Sequence, residues 1–246
     1  MTGTTVRTEW RDRILVVTID RPTRRNAVDH ETLLSLRAAQ ATAVEGGARG
    51  LVLTGAPPAF CAGADLTGVE GGAFTTALLA VLYEFGRLPF ACIAAIDGPA
   101  LGAGTQLAIA CDLRVATPSS QFGIPAAKLG LVVDHWTVER LAREAGWSIA
   151  RNMLLTASLY DAAALVAPGF VHRLGGLEEA LAWADEIALL APLTIAGHKL
   201  ALERSGSMPA HDDLIAAARD QAWASADAEE GRTAFLAKRP PRFTGS

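Results

Sequence analysis

Two short stretches of this 246-residue chain are built from residues with almost no side chain. They are Phe60-Cys61-Ala62-Gly63-Ala64-Asp65-Leu66 and Gly98-Pro99-Ala100-Leu101-Gly102-Ala103-Gly104-Thr105-Gln106-Leu107. Each follows an apolar run, Leu51-Val52-Leu53-Thr54 in the first case and Cys92-Ile93-Ala94-Ala95-Ile96 in the second. A strand that ends in small residues lets the backbone come close to a ligand, and a helix beginning there aims unbonded N–H groups at it. Two such loops facing one another could hold one oxygen between two backbone amides, the oxyanion hole that a thioester carbonyl needs. The same spacing also suits two tight strand-to-helix turns with no ligand at all, and spacing alone does not choose.

The wider pattern resembles a known family. Phe60 to Leu66 is similar to the oxyanion loop of the crotonase (enoyl-CoA hydratase/isomerase) superfamily, and Ala95 to Leu107 to its second loop and following helix. The resemblance extends to Arg21-Pro22 with Arg25-Asn26-Ala27, to Cys111-Asp112-Leu113-Arg114 and to Phe122-Gly123-Ile124-Pro125. It covers nearly the whole chain. It implies that the backbone N–H groups of Ala64 and Ala103 bind the acyl oxygen of a coenzyme A thioester, with no further cofactor. It implies coenzyme A contacts from Arg25, Ala27, Ala62, Asp65 and Leu66, and second-rank contacts from Lys238 and Phe243 in the tail. The fold implied is α/β, a ββα spiral core over residues 1–190 followed by a helical trimerisation region over 191–246. Members of the superfamily are usually trimers or dimers of trimers, which implies a homotrimer or dimer of trimers here.

What the chain lacks bears most on activity. A working hydratase of this superfamily carries two glutamates that hold one water and deliver its parts across the double bond. The positions that match them here are Gln106, three residues past the second donor, and Ala126, directly after Phe-Gly-Ile-Pro. A glutamine side chain can hydrogen-bond a water but cannot take its proton, and alanine can do neither. A positioned general acid or base contributes roughly 10²–10⁴-fold, so losing both removes most of the rate. Ala103 itself stands where the superfamily usually has glycine, a change that leaves the backbone N–H in place.

Asp134, in Gly130-Leu131-Val132-Val133-Asp134-His135-Trp136, is the carboxylate that could stand in. Chloroaryl-CoA dehalogenases and dienoyl-CoA isomerases place a working aspartate at the matching position, which would make Asp134 a nucleophile or proton shuttle. The competing reading is an N-cap for the helix that follows. His135 and Trp136 beside it would shape an acyl pocket, as would Leu82 on the upstream helix, although Trp136 and Leu82 also suit plain core. Arg21, Arg24 and Arg25 form a basic cluster whose guanidinium groups suit phosphate oxygens, or simply a solvated turn.

Elements must position these residues. Val6–Trp10 and Ile14–Ile19 read as a hairpin, Asp29 as the N-cap of a helix to about Glu45, and Gly50–Leu53 as the next strand. Strand–helix alternation of this kind points to a mostly parallel sheet. Thr67–Thr76 reads as a glycine-rich loop, Ala77–Gly86 as a helix, and Leu113–Ala116 as a strand with Asp112 satisfying nearby backbone donors. Two helices follow, broken at Gly146, then helices from Leu177 and from Pro192, and one or two more over 209–237.

Composition limits the alternatives. A net charge of −4 gives no reason to expect nucleic acid, and no lysine–arginine block marks a membrane surface. The glycines do not make a dinucleotide fingerprint, and the five histidines show no metal-ligand spacing. Cys61, Cys92 and Cys111 read as reduced thiols in a cytoplasmic protein. No apolar run reaches the length of a membrane span, and the polar start does not read as a signal peptide. Gln106 with Ala126, the Asp134-His135-Trp136 run and the Lys238-Arg239-Pro240-Pro241 tail resemble a mycobacterial enoyl-CoA hydratase-like branch associated with long-chain acyl-CoA handling for mycolic acid synthesis. The function expected is acyl-CoA binding with hydratase chemistry lost; the alternative is an isomerase or thioester hydrolase that uses Asp134.

Overall fold

The computed structural model describes residues 5–67, 72–204, 220 and 223–242. The expected hairpin forms from β1 (Val6–Arg11) and β2 (Ile14–Ile19), antiparallel with Val6 opposite Ile19. β2 is apolar on both faces and almost entirely buried, as a strand inside a parallel sheet must be. Pro22 ends it in a 3-10 turn (Pro22–Arg24), and α1 (His30–Glu45) starts where the Asp29 carboxylate accepts the Thr32 N–H at 2.8 Å. β3 (Gly50–Gly55), α2 (Gly72–Arg87), β4 (Ala91–Ile96), β5 (Pro99–Leu101), α3 (Ala103–Ala110), β6 (Leu113–Ala116) and β7 (Gln121–Gly123) follow. Then come α4 (His135–Ala145), α5 (Trp147–Thr156), β8 (Tyr160–Asp161), β9 (Arg173–Leu174), α6 (Leu177–Ala188), α7 (Pro192–Arg204) and a helix over Ala226–Leu236.

The main sheet runs β1-β2-β3-β4-β6-β9, and every pair after the first is parallel. The α/β architecture expected from the alternating pattern is therefore present. A short second sheet has the order β5-β7-β8.

Two compact units emerge, Met1–Phe122 with Tyr160–Gly206, and Gly123–Leu159 with Ser207–Ser246. In the first, α6 lays Ala180 and Ala184 on a layer of Ile14, Val52, Ile93, Ala95 and Val115 from four neighbouring strands. Small residues on the helix let it approach the sheet closely. In the second, α4 and α5 pack together, and the 3-10 turn Pro125–Leu129 lies against the Ala226–Leu236 helix, with Gly130 on Asp227 and Leu129 on Gly231. The stretch read as one helical C-terminal region is divided, with α7 in the first unit and Ala226–Leu236 in the second.

One segment differs from expectation. Residues 72–76, read as loop because of their small side chains, form the first turn of α2. Phe74 is buried and begins the stripe continued by Leu78, Val81, Leu82 and Phe85, so packing outweighs the poor helix propensity of glycine. Leu82 is fully buried in that stripe. Among the described residues no single helix is long and apolar enough to cross a membrane.

Candidate active site

The two small-residue loops meet within the first unit. Cys61 donates its N–H to Pro99 O at 3.0 Å and accepts from Leu101 N–H at 2.9 Å, which makes loop 60–66 an extension of the β5 edge. On the other side, Val28 and Ala64 form a parallel bridge: Val28 N–H donates to Gly63 O at 2.9 Å, and Asp65 N–H to Val28 O at 2.8 Å. Glycine is needed where the loops touch. A Cβ on Gly104 would overlap the Cys61 carbonyl oxygen and lie 3.0 Å from its carbon. Gly102 has φ +53° and ψ −115°, a conformation that side-chain-bearing residues avoid.

These bonds set the direction of two donors. A trans peptide is planar, so its N–H points opposite its C=O. The Gly63 carbonyl is held by Val28, so the Ala64 N–H points away from the Val28 strand. The Gly102 carbonyl accepts the Gln106 N–H at 3.0 Å inside α3, so the Ala103 N–H points out of the helix N-terminus, where no intrahelical acceptor exists. The residues preceding the two donors face one another: a Cβ on Gly102 would lie 3.8 Å from the Gly63 α-carbon.

A sequence model of the enoyl-CoA hydratase/isomerase family matches residues 9–246. The probable enoyl-CoA hydratase echA6 of Mycobacterium tuberculosis is 41% identical over 240 residues, covering 96% of this chain and 97% of that protein. This chain belongs to the enoyl-CoA hydratase/isomerase family. Carnitinyl-CoA hydratase from Mycobacterium avium superposes over the full length of both chains with a TM-score of 0.86 at 29% identity. Methylmalonyl-CoA decarboxylase does so with a TM-score of 0.89 at 25% identity.

Gln106 and Ala126, the positions that the resemblance matches to two glutamates, fall in different units. Gln106 is buried in the first turn of α3, one helical turn from Ala103 and so on the same face. Ala126 sits in the second unit, half-buried in the Pro125–Leu129 turn, its carbonyl accepting the Leu131 N–H at 3.1 Å. Asp134 caps α4: its Oδ1 accepts the Thr137 N–H at 3.0 Å and its Oδ2 the Thr137 hydroxyl at 2.7 Å. His135 and Trp136 open α4, both half-buried, and His135 Nδ1 is buried without a hydrogen-bond partner among the described residues.

Of the residues that the resemblance assigns to coenzyme A, Arg25 is exposed on a left-handed backbone (φ +50°), and its carbonyl accepts the Ala62 N–H at 3.0 Å. Ala27, Ala62 and Leu66 are half-buried. Lys238 is exposed and ends the last helix with φ +52°. Phe243 lies outside the described residues. Arg21 does not belong to a phosphate-facing cluster with Arg24 and Arg25. Its guanidinium is turned inward, 2.7 Å from Asp29 Oδ2 and 3.0 Å from Asp65 Oδ2, and it also donates to the Ala27 carbonyl. The other Asp65 oxygen accepts the Thr67 hydroxyl at 2.6 Å and the Thr67 N–H at 3.2 Å. Burial alone would raise the Asp65 pKa, but Thr67 and Arg21 outweigh it and hold the carboxyl below its ordinary value.

Several positioning residues carry little sequence signal. Asn26 is fully buried: its Nδ2 donates to the Ala56 and Ala59 carbonyls at 2.6 Å each, and its Oδ1 accepts the Arg21 N–H at 2.9 Å. It thereby fixes the segment leading into loop 60–66. Arg114, also fully buried, donates to Ala108 O (3.3 Å), Cys111 O (3.1 Å) and Phe170 O (2.7 Å), placing a cation at the C-terminus of α3 where the helix dipole favours it. Lys199 on α7 lies 2.7 Å from Asp112 Oδ2 and 2.9 Å from Phe90 O, while the same Asp112 oxygen accepts the Cys92 N–H at 2.7 Å. The structural reading of Asp112 is thus borne out. The three cysteines are free and buried; burial pushes the Cys61 and Cys92 thiols up to about 12, which leaves them protonated and unreactive.

Proposed function

We propose that the chain binds fatty acyl-CoA thioesters and has lost the hydration chemistry of its family. The supporting observation is the orientation of the Gly63–Ala64 and Gly102–Ala103 peptides, each with its carbonyl fixed by the fold and its N–H directed out of it. Two such donors polarise a thioester carbonyl. Charge that develops on the oxygen would be stabilised there, but no carboxylate stands at either matched glutamate position to move a proton. Gln106 can hold a water or an acyl-chain polar group; Ala126 can do neither. Coenzyme A contacts are assigned to Arg25, Ala27, Ala62, Asp65 and Leu66 of the first unit, with long acyl chains preferred.

The supporting likeness is a family of hydratases and acyl-CoA enzymes, which argues for a coenzyme A ester as ligand with no other cofactor. A trimer-based assembly is assigned from the likeness to the family. Free, protonated thiols suit a reducing cytoplasm. The second reading, an isomerase or thioester hydrolase using Asp134, is disfavoured because that carboxylate is engaged as a helix cap.

Isothermal titration of the full chain with acyl-CoA esters of increasing length tests the proposal. Saturable binding that tightens with chain length supports it. Absence of binding to every ester overturns it.

A further inference from the structure

Arg21 stands outside the donor pair, yet it touches both segments that aim one of the donors. The Ala64 N–H takes its direction from the Val28–Gly63 hydrogen bond, and that bond holds only while segment 27–29 and segment 63–65 stay in register. Arg21 donates to the Ala27 carbonyl and pairs with Asp29 on the first segment, and with Asp65 on the second. The Arg21 and Asp65 side chains are 16% and 9% exposed, so the pair is little screened by solvent. Asp65 is tied a second time, through its other oxygen, to Thr67.

We infer that Arg21 is a positioning residue for the Ala64 donor, acting through Asp65 and Ala27 to hold the Gly63–Ala64 peptide in its carbonyl-polarising orientation. The inference rests on the acyl-thioester reading above. A planar guanidinium reaches three acceptors at once, which a lysine ammonium on a flexible stem does not reproduce. The role predicts a loss of the preference for thioester over thioether, beyond any change in the coenzyme A contacts of Ala27 and Asp65 that the two ligands share. A residue that merely supports the fold would weaken every ligand alike.

The test compares decanoyl-CoA with its thioether S-decyl-CoA, which has no carbonyl oxygen, by calorimetric titration of wild-type protein, Arg21→Ala, Arg21→Lys and Asp65→Asn. A carbon-13 label in the thioester carbonyl adds its infrared stretching frequency as a second readout. Wild-type protein should prefer the thioester by roughly fivefold to tenfold, as a net hydrogen-bond contribution gives. In Arg21→Ala that preference should collapse toward parity and the bound carbonyl frequency should rise toward its free value, whatever change both ligands share through the Ala27 and Asp65 contacts. Arg21→Lys should restore part of the preference, and Asp65→Asn should fall between wild type and Arg21→Ala. If Arg21→Ala does not fold, Asp65→Asn decides. An unchanged preference in the folded variants overturns the inference while leaving the acyl-thioester reading intact. Equal binding of both ligands by wild-type protein overturns that reading, and this inference with it.

Discussion

Gly104 lies so close to Cys61 that the first turn of α3 and loop 60–66 share one contact surface; no side chain fits between them. The two donor peptides are therefore held beside one another by backbone contact. Gly104→Ala should cost about 1–3 kcal/mol, the usual range for overpacking, because the clash is with backbone that cannot rotate away. Urea unfolding with an unchanged slope and a lower midpoint would show it. A midpoint equal to wild type would mean the loops yield.

Asp134 separates cap from catalyst. Asparagine caps nearly as well as aspartate, whereas alanine at an N-cap costs about 1 kcal/mol. Asp134→Asn should therefore leave stability and acyl-CoA affinity close to wild type, and Asp134→Ala should lower stability by about that amount. Calorimetry and thermal unfolding read both. Any turnover that disappears in the asparagine variant would make Asp134 a catalytic residue.

The Lys199–Asp112 pair ties α7 to the start of β4 and β6 through buried charge. Removing one member strands the other, so Lys199→Met should destabilise by about 3–5 kcal/mol. Burial works against the lysine charge, but the charge and hydrogen bond of the Asp112 carboxylate favour it, and its pKa lies above the ordinary lysine value. A raised folded-state pKa contributes stability fully below the unfolded value, about 10.4, and loses it as pH rises through the higher folded value. The stability gap between wild type and Lys199→Met should thus stay flat from neutral pH to about pH 9 and close only above about 10.4. A gap that closes below pH 9 would contradict the assignment.

Legibility in the sequence followed how local the cause was. Asp29, Pro22 and Gly146 set boundaries by their own backbone and capping chemistry, and α1, the end of β2 and the break between α4 and α5 fall where those residues place them. The two donor loops were legible as close-approach turns from their small residues, and as a donor pair only through the resemblance of residues 60–66 and 95–107 to the crotonase loops. The start of α2 was not, since its first turn is held by Phe74 packing against distant elements and not by local propensity. Arg21 likewise read as part of a surface cluster because its partners, Asp29 and Asp65, are brought to it only by the fold. Asn26 shows the same thing: its two acceptors lie about 30 residues downstream.

The segment that follows the Ala226–Leu236 helix is folded back by one carboxylate. Glu230 accepts from Arg239 Nη1 and Nη2 at 2.6 and 2.7 Å and from the Arg242 N–H at 2.8 Å. The Arg239 fork and the Arg242 N–H hold the Glu230 pKa down to about 2. A depressed folded-state pKa means the contact is fully present above the unfolded glutamate value, about 4.3, and is lost only as pH falls toward the folded one. Hydrogen exchange at Arg242 should remain slowed at pH 5, and Glu230→Gln should speed it. Fast exchange at Arg242 in the wild type would show that the fork does not hold the segment.

The central claim, a thioester cradle without hydration chemistry, meets its most direct test in the ultraviolet absorbance of 2-enoyl-CoA esters incubated with excess protein. Short and long chains should be compared, with binding followed by tryptophan fluorescence in the same samples. The account predicts quenching or enhancement that saturates, while absorbance of the conjugated double bond stays constant. Loss of absorbance at the rate of a working hydratase would contradict it, and would mean that Gln106 and Ala126 do not mark an emptied proton-transfer pair.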